Sequence, residues 1–530
     1  KLSETRNDSY NVTTQLIANY AKKFAGKHDI NLMAGYENYY EYIEELGADR
    51  DGYVLTNFPY LNNGPKDLIG NSGKGKEYAY RSYFGRVMYS YADRYLFQAN
   101  IRHDGSSRFA KKHRWGTFPS FSAGWVLSEE NFMKNLNWDW LSFLKIRATW
   151  GALGNERIGD FPYMSTIAFG NTIFYQNNGI YFDQTASQQK YAIENVTWEK
   201  TESTDIGLDI SFLNNRLRVN GDYYWKNTKD MLLAMAIPDF LGFSDPDVNA
   251  GKMSTKGYEL NVSWNDHIGD FSYGIAINFS DFTSKMGDLQ GTQFLGDKVK
   301  MEGSEFNEWY GYVSDGLFLT EEDLKNSPKI NDKNTQLGDI KYKDISGPDG
   351  VPDGKISPEY DRVLLGSSLP HFLYGGNINL GYKNFDLSLA FQGVGKQNAR
   401  LAREMVEPFR NNYGNFPAII DGNYWSPYNT DEQNAVAKYP RLTHVNKSSN
   451  YAMSDYWLFN GGYFRLKNIT LGYTFPKEWM NAIGIKGARI YASASDLFCL
   501  SKYPKGWDPE MGVSEYPITT SILLGVSVNF

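Results

Sequence analysis

The sequence has almost no cysteine, no long apolar run and no cluster of charge of one sign. Cys499 is the single cysteine among 530 residues, which excludes an intrachain disulfide and any metal site built from several cysteines. No stretch reaches the roughly 20 consecutive apolar residues of a transmembrane helix. The net charge is −7, and both signs are interspersed, so a phosphate-binding surface for nucleic acid has no support.

The chain also lacks the linkers expected of several soluble domains. A length of 530 residues would suit about three of them, but no segment of shifted composition separates one part from another. The 39 Tyr, 32 Phe, 13 Trp and 50 Gly are spread from end to end, which indicates one continuous architecture. The first residue is Lys1, and residues 1–9 lack the regions of a signal peptide, so we expect a fragment of a longer protein.

Segments of about ten residues alternate apolar with small or polar side chains. This period of two predicts strands whose two faces meet different environments. The pattern recurs at residues 205–212, 271–280 and 385–392. It is clearest at residues 95–102, where one face carries Tyr95, Phe97, Ala99 and Ile101 and the other carries Gln98, Asn100 and Arg102.

The connections between the predicted strands alternate between short and long. With the first strand at residues 9–23, the short ones include residues 25–27, 92–94, 213–216, 265–270 and 383–384. The long ones include residues 43–76, 154–198, 227–249, 286–370 and 396–461. Outer-membrane barrels have short periplasmic turns and long extracellular loops. We therefore predict an all-β, membrane-spanning antiparallel β-barrel with long extracellular loops.

Counting the segments gives about fifteen strands, and an odd number cannot close an antiparallel barrel. We expect residues 1–530 to be the C-terminal portion of a barrel of roughly 22 strands, the size at which a plugged lumen occurs. About seven strands and the plug would precede Lys1. The last strand ends on Phe530, and the related hexapeptides at residues 377–382 and 468–473 each end on an aromatic at the predicted inner girdle.

Other classes of protein fit less well. A propeller or solenoid would show regular repeats, and none is present. Residues 70–76 have the spacing of a phosphate-binding loop, but Glu77 replaces the required Ser or Thr, so a flexible loop tip is predicted. The six His include no i, i+4 pair, and no Gly-x-Ser-x-Gly elbow occurs. We predict that the protein is not an enzyme, with a hydrolase of scattered Ser and His as a minor alternative.

Several sequence segments indicate membership of a family as well as a fold. Residues 84–95 read FGRVMYSYADRY and residues 99–109 read ANIRHDGSSRF. Further segments are FPSFSAGW at 118–125, LKIRATWG at 144–151, WEKT at 198–201, DYYWKNTKD at 222–230, GYEL at 257–260 and YFRLKN at 463–468. In this order they closely resemble the barrel of SusC/RagA-type TonB-linked outer-membrane transporters of Bacteroidetes.

The resemblance implies outer-membrane, TonB-dependent nutrient import, with oligosaccharides as the expected cargo. It also implies a SusD-like surface lipoprotein as the lid partner, an N-terminal plug that contacts TonB, and a barrel wall in contact with outer-membrane lipid. A peptide importer of the same family stays open as an alternative. So does a passive porin or adhesin-like barrel.

Aromatic side chains in the long loops are the candidates for substrate binding. Trp309, Tyr310 and Tyr312 lie in one predicted extracellular loop. Trp425, Tyr428 and Trp457 lie in another. An aromatic face can stack on a sugar ring, although such rings also pack loops against one another or against a lid partner.

The longest connection contains an Asp- and Gly-rich stretch at residues 344–361. Asp349 and Asp353 match positions 1 and 5 of a calcium loop, but Val351 stands where a third oxygen ligand belongs. Asp344 and Asp361 flank them, so these four carboxylates are the candidate ligands of a Ca²⁺ ion. Turn formation by Asp, Gly and Pro accounts for the same residues without a metal.

Overall fold

The computed structural model describes residues 1–54, 57–176, 179–188, 190–235, 237–291, 293, 295–331, 333–410, 416–512 and 515–530. The first thirteen strands are β1 (Leu2–Phe24), β2 (His28–Arg50), β3 (Ile69–Tyr91), β4 (Tyr95–Ser106), β5 (Trp115–Val126), β6 (Leu141–Asn155), β7 (Ile167–Gln176), β8 (Gly179–Gln188), β9 (Glu199–Phe212), β10 (Leu217–Lys229), β11 (Leu232–Ala234), β12 (Asp247–Asn249) and β13 (Met253–Ile268).

The remaining strands are β14 (Phe271–Met286), β15 (Lys298–Val299), β16 (Glu308–Tyr312), β17 (Ser314–Leu317), β18 (Ile340–Tyr342), β19 (Arg362–Leu364), β20 (His371–Tyr382), β21 (Phe385–Lys396), β22 (Asn398–Arg400), β23 (Leu458–Asn460), β24 (Tyr463–Thr474), β25 (Gly487–Ser501) and β26 (Ser521–Asn529). The short α-helices are α1 (Asn131–Lys134), α2 (Glu321–Asn326), α3 (Arg403–Val406), α4 (Asp431–Ala435), α5 (Lys447–Asn450) and α6 (Lys477–Ala482). No helix in the described ranges is long and apolar enough to cross a bilayer.

Fifteen strands form one sheet, in the order β1-β2-β3-β4-β5-β6-β9-β10-β13-β14-β20-β21-β24-β25-β26. Neighbours in the sheet are therefore neighbours in the chain, apart from small strands that belong to the connections. Those form the pairs β7-β8, β11-β12, β17-β18 and β22-β23 and the three-stranded sheet β15-β16-β19. The prediction of about fifteen antiparallel strands is confirmed.

Most of the short connections of the sheet are tight turns that place residues in the left-handed region, whereas those between β5 and β6 and between β24 and β25 contain a short helix. Between β3 and β4, Ala92 and Asp93 have φ values of 52° and 56°, and the Arg94 N–H donates to the Tyr91 carbonyl at 3.1 Å. Positive φ at both central residues is typical of the turn whose twist matches that of a hairpin. Long connections follow at the other ends of the strands, which is the predicted alternation.

Exposure alternates along the strands as the sequence pattern predicts. In β4, Phe97 and Ile101 are 46% and 53% exposed. Gln98 and Asn100 on the opposite face are half-buried, and Asn100 Nδ2 donates to Ser120 Oγ at 3.0 Å. Exposed apolar rings and branched chains on one face suit contact with lipid, and the polar face suits a hydrated interior.

An aromatic row crosses neighbouring strands where the two hexapeptides end. Tyr382 pairs with Phe385 across the β20–β21 turn, and Phe385 pairs with Tyr473 on β24. The ring centroids of Phe385 and Tyr473 are 4.7 Å apart. Rings aligned at one level are what an interfacial girdle requires.

The first three strands are longer than predicted. Each contains 23 residues, so β1 extends beyond the predicted 9–23. Residues 70–76 lie within β3, and the prediction of a flexible loop tip there is wrong. The ladder continues through polar sequence, because Glu45 pairs with Lys74 and their charged groups lie 3.2 Å apart. Hydrophobic alternation is not needed where both faces meet water.

The chain divides into two compact units. The first comprises Lys1–Asn137, Lys145–Ile206 and Tyr224–Ser254, and its buried cluster contains Phe109, Phe118, Ile158, Val196 and Trp198. The second comprises Trp138–Leu144, Gly207–Tyr223 and Thr255–Phe530. Its larger buried cluster lies in the long connections rather than between the strands.

Candidate functional site

The two longest connections, residues 287–370 and 397–462, pack against each other around a shared hydrophobic core. Tyr312 and Ile340 contribute from the first connection, and Val406, Ile420 and Trp457 contribute from the second. Burial of a large apolar side chain stabilises by about 1.5–3 kcal/mol, so several such residues are enough to hold the connections together. We call these two connections the loop body.

Asp339 is the polar centre of the loop body and is fully buried. Arg441 donates to its two oxygens, from Nε at 2.7 Å and from Nη2 at 3.2 Å. Further hydrogen bonds come from the side-chain amides of Asn446 and Asn450, at 2.8 and 2.9 Å, and from the Gln336 N–H at 2.9 Å. A buried carboxylate needs this degree of pairing, and the bonds join the two connections.

Glu407 is a second buried carboxylate of the loop body. Arg403 Nε lies 2.6 Å and Lys447 Nζ 3.3 Å from its oxygens. Burial raises the pKa of the Glu407 carboxyl, but the hydrogen bond and charge of Arg403, joined by Lys447, outweigh burial and hold that pKa below its ordinary value. Burial raises the pKa of the neighbouring Tyr451 hydroxyl. The Glu407–Arg403 pair is therefore ionised in the folded protein at neutral pH.

Three of the six aromatic candidates belong to the core of the loop body. Tyr312 and Trp457 are 7% and 2% exposed, and Trp457 Nε1 donates to the Asn450 carbonyl at 2.9 Å. Trp425 packs against the same core, and a side chain at Gly338, where φ is +82°, would collide with its ring. These rings stabilise the loops and present little surface to a solute in this arrangement.

The other three aromatic candidates present ring surface to solvent. Trp309 is half-buried, with Lys298 Nζ 4.7 Å from its ring centroid. Tyr310 is half-buried beneath the guanidinium of Arg362 at 4.5 Å. Tyr428 is 96% exposed. The structure thus divides the predicted set into packing residues and residues that a solute can reach.

In the acidic loop, Asp361 is buried and organises the backbone. One of its oxygens accepts from the N–H groups of Ile345 and Ser346 at 2.8 and 3.2 Å. The other accepts from the Ser357 N–H at 2.7 Å. Three amide donors satisfy this carboxylate without a metal ion.

The other acidic candidates do not converge with it. Asp344 accepts from the Gly354 N–H through Oδ2 at 2.6 Å, whereas its Oδ1 is buried without a hydrogen-bond partner. Asp353 accepts from the Lys355 N–H at 3.0 Å, and Asp349 is exposed. Across the described ranges, no three His, Cys, Asp or Glu side chains come together as a metal site. The calcium site stays a prediction.

A charged cluster on β24 was not predicted from the sequence. Arg465 is 2% exposed, with Nη2 2.5 Å from Asp508 and Nε 2.8 Å from Glu510. Lys467 lies 2.7 Å from Asp496 on β25. The ion pairs of Arg465 fasten the connection at residues 502–520 to β24, and that of Lys467 joins β24 to β25. Alternation places Arg465 and Lys467 on one face, but nothing in the sequence pairs them with particular loop carboxylates.

The fifteen-stranded antiparallel sheet, its alternating short and long connections and its apolar exposed face are those of the wall of an outer-membrane β-barrel. The chain belongs to the family "TonB dependent receptor-like, beta-barrel", which it matches over residues 2–497. The matched family is one of receptors and not of enzymes.

Curated relatives cover nearly all of the chain. It is 32% identical to TonB-dependent receptor SusC of Bacteroides thetaiotaomicron, in an alignment that covers 99% of this chain and 50% of the relative. It is 31% identical to TonB-dependent receptor P3 of Formosa agariphila, covering 94% of this chain and 49% of the relative. The chain spans about half the length of the curated relatives it matches. The predicted SusC/RagA-type resemblance is confirmed.

Solved structures show the same fold. The RagAB peptide transporter matches with a TM-score of 0.83 at 23% identity, over 100% of this chain and 56% of that chain. The RagAB peptide importer in its closed-closed state matches with a TM-score of 0.81 at 22% identity, with the same coverage. At this level of identity the likeness concerns the fold of the chain.

Proposed function

We propose that the chain is the C-terminal barrel portion of a TonB-dependent importer that brings oligosaccharides across the outer membrane. The family match over residues 2–497 carries the proposal. The half-buried ring of Trp309 and the exposed ring of Tyr428 support a sugar as cargo, because aromatic faces stack on sugar rings. The half-buried polar face of the strands, including Gln98 and Asn100, supports a hydrated passage.

The proposed importer acts with a SusD-like surface lipoprotein and receives energy from TonB through a plug. The resemblance to SusC supports both partners, and the greater length of the relatives leaves room for a plug and further strands. The loop body is a folded platform on the long-connection side of the sheet. Such a platform is suited to carry a lid.

A Ca²⁺ ion in the acidic loop is a separate proposal. The buried, unpartnered Oδ1 of Asp344 supports it, and binding would require Asp349, Asp353 or Asp361, which do not form a cluster with Asp344 among the described residues, to approach that oxygen. An ordered ion should have oxygen ligands at about 2.3–2.6 Å. Calorimetric titration of the full-length protein with Ca²⁺ should show one site that is lost in Asp344→Asn, and the absence of any binding heat would refute it.

Uptake measurements in cells test the main proposal. Cells expressing the full-length protein with the proposed SusD-like lipoprotein should accumulate a fluorescent oligosaccharide, and deletion of TonB should abolish accumulation. Accumulation that persists without TonB would indicate a passive porin. Accumulation of labelled peptides alone would indicate a peptide importer, and hydrolysis by purified protein would indicate an enzyme.

A further inference from the structure

A cavity of about 380 Å³ opens where three connections meet, at residues 287–370, 397–462 and 502–520. Its walls include Lys298, Trp309, Gln397, Arg400, Arg403 and Tyr503. The volume lies in the lower part of the roughly 300–1,000 Å³ range of small-ligand sites. It therefore suits a short fragment of a longer molecule.

Cationic side chains dominate the walls. Lys298, Arg400, Arg403 and Arg410 line the cavity, with Glu404 as the single acidic lining residue in the part of the chain that is described. Arg400, Arg403 and Arg410 pair with Asp297, Glu407 and Glu404, so among the described residues the excess positive charge at the cavity is that of Lys298, which lies over the Trp309 ring. A cavity with this balance favours an anion.

The pairing of Arg400 is incomplete. Its Nη1 lies 2.5 Å from Asp297, and its Nη2 donates to the Tyr451 carbonyl at 3.4 Å. Its Nε is buried and has no hydrogen-bond partner. A guanidinium with an unused N–H can donate it to an oxygen of a ligand at little further cost in desolvation.

Two aromatic rings are held in place beside these cations. Trp309 Nε1 donates to the Asn398 carbonyl at 2.5 Å, which fixes the indole. The Tyr503 ring packs edge-on against Phe459 at 4.9 Å. A side chain at Gly461 would approach the Tyr503 ring to 3.2 Å, so glycine allows this close packing. The rings are preorganised, which lowers the entropic cost of binding.

Amide and hydroxyl groups complete the cavity. Gln397 and Asn398 lie on its wall together with Ser368. Gln397 Nε2 makes a long bond of 3.3 Å to the Ser368 carbonyl, and Asn398 Nδ2 makes one of 3.4 Å to the Leu365 carbonyl. Long bonds of this kind can exchange for bonds to the hydroxyl groups of a sugar.

We infer that this cavity binds an anionic sugar unit, bearing a carboxylate or a sulfate, of the transported oligosaccharide. The inference rests on the proposed function and specifies the class of its substrate. The cations hold the anionic group, the rings of Trp309 and Tyr503 cover the apolar face of the sugar, and the amides bond its hydroxyls.

Equilibrium binding of defined trisaccharides to the full-length protein tests this inference. Trigalacturonate and a trisaccharide sulfated on each unit are the anionic probes, uncharged trigalactose is the matched neutral probe, and triglutamate is the peptide probe. At low salt we expect at least one anionic sugar to bind about tenfold or more tightly than trigalactose, with the difference reduced at high salt. The two anionic probes separate carboxylate from sulfate recognition.

Variants locate the binding to the cavity. Lys298→Gln and Arg410→Gln should each weaken binding of the preferred anionic probe by about threefold to tenfold. Arg157→Gln removes an exposed loop arginine outside the cavity and should leave the affinity unchanged. Uptake of neutral oligosaccharide should be unchanged in Arg157→Gln.

Equal affinity for anionic and neutral trisaccharides would overturn the inference, as would wild-type affinity in both cavity variants. Triglutamate bound as tightly as the anionic sugars would contradict the assignment to a sugar. If neutral oligosaccharides are still imported in a TonB-dependent way, these failures concern the cavity alone. If the wild-type protein imports no sugar at all, the proposed function is refuted instead.

Discussion

Asp339 and Glu407 show how single residues organise the loop body. Both carboxylates are buried, and each is paired with an arginine from within the long connections. Taking one member of a buried pair away leaves a charge without compensation, which costs about 3–5 kcal/mol. These residues therefore stabilise the folded arrangement of the loops more than that of the strands.

Asp339→Ala should loosen the loop body while the sheet stays folded. Arg441 would lose its carboxylate, and the amides of Asn446 and Asn450 would lose their acceptor, so the loss should approach about 3–5 kcal/mol. Hydrogen exchange measures this directly, as faster exchange in residues 336–342 and 446–450 than in the strands. Asp349→Ala, at an exposed position of the same connection, is the control and should change neither region.

Acid should destabilise the loop body through Glu407. Its folded-state pKa lies below the ordinary value, so its contribution is fully present above the unfolded-state pKa and is lost as the pH falls through the folded-state pKa. Proteolysis of the loops should accelerate in that acidic window. In Glu407→Gln this part of the pH dependence should disappear, and an unchanged profile would contradict the assignment.

The turn between β3 and β4 carries local backbone strain that a substitution can relieve. Ala92 has a φ of 52°, a conformation that costs an L-residue about 1–2 kcal/mol. Ala92→Gly should raise the free energy of unfolding by about 0.5–1 kcal/mol, measured by denaturant titration in detergent micelles. Ala99→Gly, within β4, should lower it by about 0.5–1 kcal/mol, and equal effects would contradict the turn assignment.

The two faces of β4 should respond differently to charge. Ile101 is 53% exposed on the apolar face, so Ile101→Arg should destabilise the full-length protein in lipid vesicles by up to about 2–4 kcal/mol. Asn100→Arg, on the polar face, should cost clearly less. Similar losses for both substitutions would mean that the apolar face does not meet lipid.

Elements were predictable from the sequence where the membrane imposes a pattern. Alternation along β4 and the tight turn at Ala92 follow from local residues, so strand count and connection parity emerged without a structure. The polar ends of β1, β2 and β3 were missed, because water on both faces removes the alternation. In these polar ends, ion pairs such as that between Glu45 and Lys74 connect neighbouring strands.

The long connections were the part of the chain that the sequence predicted least. Asp339 and Arg441 are 102 residues apart in the sequence, and no local pattern joins them. The sequence offered Trp457, Tyr312 and Trp309 alike as candidates for substrate binding. Only long-range packing shows that Trp457 and Tyr312 are buried and that a solute can reach Trp309. The lining of the basic cavity likewise comes from three connections, so a search of the sequence for runs of basic residues does not detect it.

We expect fifteen strands to cross the outer membrane with the long connections outside. Labelling of intact cells with a membrane-impermeant maleimide tests this orientation, in full-length protein carrying Cys499→Ser. Tyr428→Cys, at a residue 96% exposed in a long connection, should be labelled. Asp93→Cys, in a short turn, should be labelled only after the outer membrane is permeabilised. Labelling of Asp93→Cys in intact cells, with Tyr428→Cys protected, would contradict this orientation of the strands.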